Sequence, residues 1–396
     1  MQRRSFLFGA GSLALSQLMV GCNSQQQESL KLQLLQGSIP AQLKGKFRRQ
    51  LKQAASLNFT PEKQLQSILK NLQIWKEQTQ AQEEPTQEQS PFDFVGDFLN
   101  FITRRRKSEF VDLVTLGDFW LTEAIKEELI QPLLVEELAG WQRLPPRWQK
   151  LVRRNQEGEL DNRGKVWGAP YRWGCTIIAY RRDKFESLGW TPTDWQDLWR
   201  EELRDRISLL DQPREVIGLT LKKLGKPYNT TDLNAVPSLA EELLALNQQV
   251  KFYSSEHYIQ PLILGDIWLA VGWSHDLMPI VQRERQIEAV VPLSGTSLWT
   301  DLWVKPTTTE SLSTLAQQWI DFCWQFEPAE AISLLTNATS PILTTVTPNK
   351  LPKTLVDNSL RLPNETILSN SEFLNFLPES TVEQYQSLWQ EMRQST

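Results

Sequence analysis

Tryptophan is unusually frequent in this chain, and several indole rings lie next to glycine or an acid. The 396 residues include 16 Trp but only 6 Tyr. An indole face beside a carboxylate attracts an organic cation, and each cation–π contact contributes about 0.5–2 kcal/mol. In open α/β sheets, ligands bind beyond the carboxyl ends of the strands. Three such groups fall at the ends of predicted strands: Trp173-Gly174, Gly272-Trp273 and Trp299-Thr300-Asp301. They predict capture of a small cation, although many of the Trp could equally fill the core.

Residues that would indicate catalysis or a metal centre are scarce. His257 and His275 are the only imidazoles, and three Cys are too few for a zinc scaffold or a disulfide framework. The sequence contains no nucleophile elbow, zinc-protease helix motif or phosphate loop. Asp and Glu are plentiful, but their spacing selects no catalytic pair. We therefore expect no enzyme activity, no metal and no cofactor.

The composition is that of an ordinary folded protein, with 40% hydrophobic and 22% charged residues. The net charge is −5, whereas a non-specific nucleic-acid binder normally carries a basic surplus. Nucleic acid is therefore not an expected partner. The length predicts two or three folding units with a large core.

The first residues resemble an export signal. Arg3-Arg4 precede an apolar stretch without acids or bases, which is typical of a signal peptide and resembles the twin-arginine pattern. Residues 19–22 (MVGC) resemble a lipobox, in which Cys22 receives the lipid. We expect a signal peptide over residues 1–21 and a flexible lipid tether over residues 22–29. A non-cleaved anchor helix, or a Sec signal with a chance Cys, remains the alternative.

Short strands alternate with helices along the rest of the chain, which predicts an α/β architecture with helices on both faces of a sheet. Residues 30–35 and 207–210 are typical of strands, and residues 213–223 of a helix with Pro213 in its first turn. Helices are also predicted over residues 61–78 and 233–246, the second capped by Thr231 or Asp232. Cys175 and Cys323 lie in apolar runs and are expected to be buried free thiols.

A polar segment and a basic segment suggest an insertion over residues 80–108. Residues 81–90 (AQEEPTQEQS) predict a surface loop. An apolar stripe over residues 94–102 runs into four basic residues at 104–107. The stripe predicts a helix that packs on the body of the protein, with a membrane-surface helix as the alternative.

The order of several motifs resembles that of the spermidine/putrescine-binding proteins of ABC importers, within the family 1 extracellular solute-binding proteins. The resemblance covers most of residues 30–396, and its most specific parts are residues 209–218 and 299–301. The motifs are residues 112–114 (DLV), 166–174 (VWGAPYRWG), 209–218 (LLDQPREVIG), 229–232 (NTTD), 271–273 (VGW), 299–301 (WTD) and 326–329 (FEPA).

The resemblance implies a two-lobed periplasmic-binding-protein fold of type II, with the ligand cleft between the lobes. Lobe 1 would comprise residues 30–172 and 296–340, and lobe 2 residues 173–295 and 341–396. It also implies a monomer in the periplasm that is held to the membrane by its lipid and delivers ligand to an ABC permease.

Site residues are implied by the same resemblance. Asp301 resembles the main amine-binding acid, and Glu215 a second acid that takes a ligand amine. Trp299 and Trp273 resemble cleft aromatics, with Trp273 stacking on the methylene chain. Trp173 lies at the first crossover between lobes and is a further candidate.

Several positions depart from the pattern of the family. Gln212 stands where a second Asp is usual, although Asp211 is adjacent, and residues 35–40 lack the usual aromatic. Where the family has Ser-x-Tyr, this chain offers Phe119 for the ring and a new acid, Asp118. A late cleft Gln falls near Leu374. These changes leave the ligand open within the class of small cations.

The resulting prediction is a lipid-anchored periplasmic solute-binding protein that captures a cationic small molecule, with a polyamine favoured, for ABC import. One alternative keeps the fold and changes the ligand to a non-polyamine solute. Another is a membrane-tethered interaction protein with a degenerate cleft, which would use residues 94–107 as its contact surface.

Overall fold

The computed structural model describes residues 28–83 and 111–394. The predicted signal peptide, Cys22, most of the tether, the stripe over residues 94–102 and its basic end lie outside the described residues.

Thirteen strands occur within residues 28–83 and 111–394. Eleven of them join one mixed sheet or its short attachments, and β5 and β6 form a separate two-stranded ladder that includes no other described strand. The strands are β1 (Ser29–Leu35), β2 (Ser56–Glu62), β3 (Leu113–Gly117), β4 (Ile130–Gln131), β5 (Arg153–Arg154), β6 (Lys165–Val166), β7 (Ala169–Arg181), β8 (Ile207–Leu209), β9 (Val250–Tyr253), β10 (Leu269–Trp273), β11 (Ile287–Val290), β12 (Ser297–Pro306) and β13 (Glu372–Phe373).

Helices alternate with these strands. The α-helices are α1 (Ala41–Gln50), α2 (Leu65–Glu83), α3 (Leu121–Lys126), α4 (Pro146–Val152), α5 (Arg182–Leu188), α6 (Pro213–Lys223), α7 (Leu239–Asn247), α8 (Ile259–Leu264), α9 (Ser274–Arg283), α10 (Thr314–Cys323), α11 (Phe326–Leu335), α12 (Lys353–Val356), α13 (Glu365–Asn370) and α14 (Glu379–Gln394). Short 3₁₀ helices cover Asp118–Trp120, Trp141–Arg143, Trp195–Trp199, Glu201–Leu203, Pro341–Thr345 and Pro348–Lys350.

The sheet has two halves that meet at its longest strand. Its order is β2-β1-β3-β12-β7-β10-β8-β9, with β11 also paired to β7. The first part of β7 pairs with β12, and from Thr176 onward the strand pairs with β10. A single strand therefore runs from one half of the sheet into the other, across the boundary that was predicted at residues 172/173.

Burial explains why most residues of β7 are apolar or aromatic. Twelve of its 13 residues are buried, because both faces of the strand are covered. In its second part, alternate side chains pack into different clusters, with Ile177 and Ala179 in one core and Ile178 and Tyr180 in the other. The α/β architecture predicted from the alternation of elements is confirmed.

Most predicted elements are present, and two boundaries are wrong. The strand over residues 30–35 is confirmed in β1, and the predicted helix over residues 213–223 coincides with α6. Residues 61–62 belong to β2, so Pro61 ends a strand instead of opening a helix, and α2 begins at Leu65. The helix predicted from residue 233 begins at Leu239, after turns in which Asp232 accepts a hydrogen bond from the backbone of Asn234.

Both remaining cysteines are buried free thiols, as predicted. Burial raises the pKa of Cys175 to about 12 and raises that of Cys323 as well, which makes both thiols poor nucleophiles. The predicted loop over residues 81–90 begins inside α2, which extends to Glu83. Within the described ranges, every helix is too short or too polar to cross a membrane.

Candidate functional site

Six side-chain positions share one face of the ladder between β7 and β12. Asp301 lies opposite Arg172, and Trp299 lies opposite Gly174. Residues that face each other across an antiparallel ladder point to the same side of the sheet. Ser297 Oγ lies 2.9 Å from Thr176 Oγ1 and continues the pattern. We call this set the central row: Arg172, Gly174, Thr176, Ser297, Trp299 and Asp301.

An ion pair occupies one end of the central row. Arg172 Nε donates to Asp301 Oδ2 at 2.6 Å, and the two side chains are only 4% and 2% exposed. Burial alone would lower the pKa of Arg172, but the carboxylate of Asp301 outweighs it, so the pKa lies above its usual value. The acid that the resemblance assigns to a ligand amine is therefore already paired with a cation of the protein.

Trp299 occupies the middle of the row, where it covers Gly174. A Cβ added at Gly174 would lie 2.3 Å from Cζ2 of the indole, so the ring requires a glycine beneath it. The side chain is half-buried, and its Nε1 has no hydrogen-bond partner among the described residues. The indole thus keeps part of its surface exposed, while its N–H group is buried.

Glu215 closes the other end of the row from the first turn of α6. Ser297 Oγ lies 2.9 and 2.7 Å from its two carboxylate oxygens. Burial raises the pKa of Glu215, and hydrogen bonds from Ser297, Thr176 and Trp273 offset part of that rise. Ser297 and Asp301 are four residue steps apart along β12, so the two acids flank a stretch of about 13 Å.

Trp273 and His275 form a wall beside the row. Trp273 ends β10, and its ring is nearly parallel to the imidazole of His275, with 6.3 Å between centroids. The same imidazole meets the Trp299 indole edge-on at 4.9 Å. A chain of contacts therefore joins the two indoles through His275.

Asp276 supports this wall through its contact with His275. His275 Nε2 lies 3.0 Å from Asp276 Oδ1, and the Tyr258 hydroxyl donates to Asp276 Oδ2 at 2.9 Å. Burial favours the neutral acid, but these hydrogen bonds, the His275 charge and the charge of Arg172 outweigh it, so the pKa of Asp276 lies below its usual value. Asp276 is thus an anion held in place by two neighbours.

Asp118 lies just behind the Asp301 end of the row, in the 3₁₀ helix that follows β3. Its Oδ1 accepts a hydrogen bond from the backbone N–H of Thr300 at 2.8 Å. Burial raises the pKa of Asp118 to about 7, and the charge of Arg154 partly opposes the rise. Phe119, the next residue, is 57% exposed. Its exposed ring is free to meet a ligand.

Two of the candidate residues lie elsewhere. Trp173 is on the opposite face of β7, only 1% exposed, with its ring 5.5 Å from that of Trp148 in the core. Asp211 follows β8 and pairs with Arg393 at 2.9 Å on the surface. Neither residue touches the central row.

Sequence reasoning overlooked Arg172 and His275. Arg172 stands in the motif over residues 166–174, but its role depends on which residue of β12 faces it. His275 lies two residues after Trp273, and we considered it only as a catalytic group. The spacing Trp-x-His was the one available signal for an aromatic wall.

The arrangement suits capture of a solute better than catalysis. Buried carboxylates flank an indole-covered stretch, and the buried hydroxyls of Ser297 and Thr176 hydrogen-bond to each other within the row. No group of three or more His, Cys, Asp or Glu that could hold a metal ion occurs within the described part of the chain.

The comparisons with known proteins agree with this chemistry. The family described as bacterial extracellular solute-binding protein matches residues 108–370. The spermidine/putrescine-binding periplasmic protein 1 of Haemophilus influenzae is 24% identical over 282 residues, which cover 71% of this chain and 74% of that protein. The spermidine/putrescine-binding periplasmic protein of Salmonella typhimurium is 27% identical over 282 residues, which cover 70% and 77%.

A solved structure supports the same architecture. The spermidine/putrescine ABC transporter substrate-binding protein PotD of Streptococcus pneumoniae superposes with a TM-score of 0.74 at 18% identity, covering 93% of this chain and 99% of that one. This likeness confirms the predicted two-lobed fold with a cleft between the lobes. Because the family consists of solute-binding transport proteins, the prediction that the chain is not an enzyme is also confirmed. The chain belongs to the bacterial extracellular solute-binding proteins.

Proposed function

We propose that this protein is a lipid-anchored periplasmic receptor that captures a small organic cation of the polyamine class and delivers it to an ABC permease. The matched relatives are described as binding spermidine or putrescine in the periplasm, which supports the ligand class and the compartment. The signal-like first 21 residues and Cys22 support export and lipid attachment.

The observation that carries the ligand class is the placement of two half-buried indoles between buried acids. Trp299 lies in the central row and Trp273 stands beside it, with Glu215 hydrogen-bonded at one end. Indole faces attract an ammonium group and cover its methylenes, and a carboxylate adds a charge-assisted hydrogen bond. Together these groups match an amine at the end of an alkyl chain.

Capture would depend on removing water from the ammonium. Strand β7 runs from one half of the sheet into the other. Closure of the two halves about this strand would place the ligand between the indoles and away from solvent. In that drier environment, the attraction of Glu215 for a cation is stronger than in water. The closed form would be the signal that the permease reads.

The function is tested by calorimetry of the purified protein with putrescine and spermidine. We expect micromolar binding, about −8 kcal/mol, for the unmodified chain. Trp299→Ala and Glu215→Gln should each weaken binding by about tenfold or more, because each removes a contact with the amine.

Trp268→Ala is the matched control for the aromatic substitution. Trp268 is also half-buried and lies near Arg206 and Lys184, away from the central row. Its removal should leave the affinity for putrescine unchanged. Absence of any heat with both amines, or equal affinities in the protein and both site variants, would reject the proposed function.

A further inference from the structure

The ion pair at the Asp301 end of the central row changes the charge that the site offers to a ligand. Arg172 and Asp301 neutralise each other, with 2.6 Å between Nε and Oδ2. The Arg172 guanidinium also lies 5.9 Å from the centre of the Trp299 ring. The guanidinium therefore makes the two contacts, with a carboxylate and with an indole, that a ligand ammonium would make there.

We propose that Arg172 is a built-in counter-ion that takes the place of one ligand ammonium, so that the site holds a single ammonium at a buried acid. This inference rests on the proposed function and makes Arg172 the residue that sets the preferred charge of the ligand. A diamine would gain little from its second ammonium, because the acid at that end of the row is already occupied.

Competition for Asp301 is unfavourable because the guanidinium is confined. Arg172 is part of β7, where the register with β12 places it directly opposite Asp301. Its Nη1 lies 3.5 Å from the carbonyl oxygen of Thr336, and its side chain is almost completely buried. A ligand amine that displaced Arg172 from Asp301 would leave a buried guanidinium without its carboxylate, which is strongly unfavourable.

The acids that remain for a ligand lie on the other side of Trp299. Glu215 accepts hydrogen bonds from the neutral groups Ser297, Thr176 and Trp273, and the charge of the adjacent Arg214 also lowers its pKa. Asp276 is paired with His275 and Tyr258. Glu215 is thus the acid to which an ammonium would donate without displacing a paired cation, since the guanidinium of Arg214 donates to Asn229 instead.

The proposal predicts how the protein ranks a monoamine against a diamine of equal chain length. Butylamine and putrescine share a chain of four carbons and differ by one ammonium group. In the unmodified protein, we expect their dissociation constants to agree within about threefold. In Arg172→Gln, the freed carboxylate of Asp301 should raise the preference for putrescine over butylamine by about tenfold or more, because only the diamine can place an ammonium at both acids.

Two control variants separate this effect from a general change of charge. Arg182→Gln removes one positive charge from a side chain that is 48% exposed and lies outside the row, so it should leave both affinities unchanged. Arg172→Lys retains the cation opposite Asp301 and should retain the similar affinities of the unmodified protein. All affinities are measured by titration calorimetry at one pH and salt concentration.

The outcomes distinguish the inference from the proposed function. If the protein binds amines and Arg172→Gln leaves the ratio of the two dissociation constants unchanged, the inference is overturned and the function stands. If no variant binds either amine, the proposed function fails. Should Arg172→Gln not fold, the unmodified protein still decides, because a preference for putrescine well above the expected limit of about threefold would show that its second ammonium finds an acid, which overturns the inference.

Discussion

At the scale of single residues, buried charges next to the central row determine how the protein responds to pH. Asp118 is 7% exposed, and burial raises its pKa to about 7, from 3.8 for the free side chain. An acid with a raised pKa in the folded state binds its proton more tightly when folded than when unfolded. Its contribution to stability is therefore greatest in acid and is lost as the pH rises toward 7.

Asp118→Asn should remove this dependence. Between pH 4.5 and pH 8, we expect the free energy of unfolding of the unmodified protein to fall by about 3 kcal/mol more than that of the variant, because an amide does not titrate. Urea unfolding at the two pH values measures the difference. Parallel behaviour of the two proteins would show that Asp118 does not ionise in this range.

At the scale of secondary structure, close approach between elements decides which glycines are needed. Gly218 lies within α6, the helix that carries Glu215, and a Cβ there would lie 2.0 Å from the Tyr228 ring. Gly45 lies within α1, and the nearest atom to its added Cβ is Arg49 Nη1 at 3.8 Å. The two helix-interior glycines therefore differ in packing and match in helix propensity.

Alanine at these two positions should have opposite effects. Gly45→Ala should stabilise the protein by up to about 1 kcal/mol, because alanine is the better helix former. Gly218→Ala should destabilise it by about 1–3 kcal/mol, because the added methyl group overpacks the contact with Tyr228. Urea unfolding at one pH compares them. Equal stabilisation by both substitutions would mean that α6 and Tyr228 are not packed this closely.

At the scale of the whole molecule, two halves of one sheet meet at β7 and β12, and the site lies on the ladder between these strands. Strand β12 also contacts β3, so the ladder is tied to the first half on one side and continues into the second half through β7. Any relative movement of the halves would change the distance between Trp273 on β10 and Trp299 on β12. This placement explains how ligand capture could be coupled to the shape of the protein.

The proposed membrane attachment is also a property of the whole molecule. Cys22→Ala should release the protein from the membrane fraction into the soluble fraction after export, because a lipid chain can no longer be attached. Fractionation of cells that produce each form measures the distribution. Ligand binding should not change, since Cys22 precedes the folded body. A variant that stays with the membrane would indicate an uncleaved signal or another anchor.

The amino-acid sequence by itself determined the class of fold and the helix over residues 213–223, and it led to the proposed binding chemistry. These follow from local features: hydrophobic periodicity, Pro213 at a first turn, and indoles next to acids. Family motifs added Glu215, Trp273, Trp299 and Asp301, which lie in or beside one row of the structure.

Only the tertiary structure decided which side chains face one another. The register between β7 and β12 pairs Arg172 with Asp301 and places Trp299 on Gly174. The same alternation turns Trp173 to the opposite face, into the core. Because these strands are separated by more than a hundred residues, spacing along the chain carries no information about their register, and a shift of one residue would exchange the two faces.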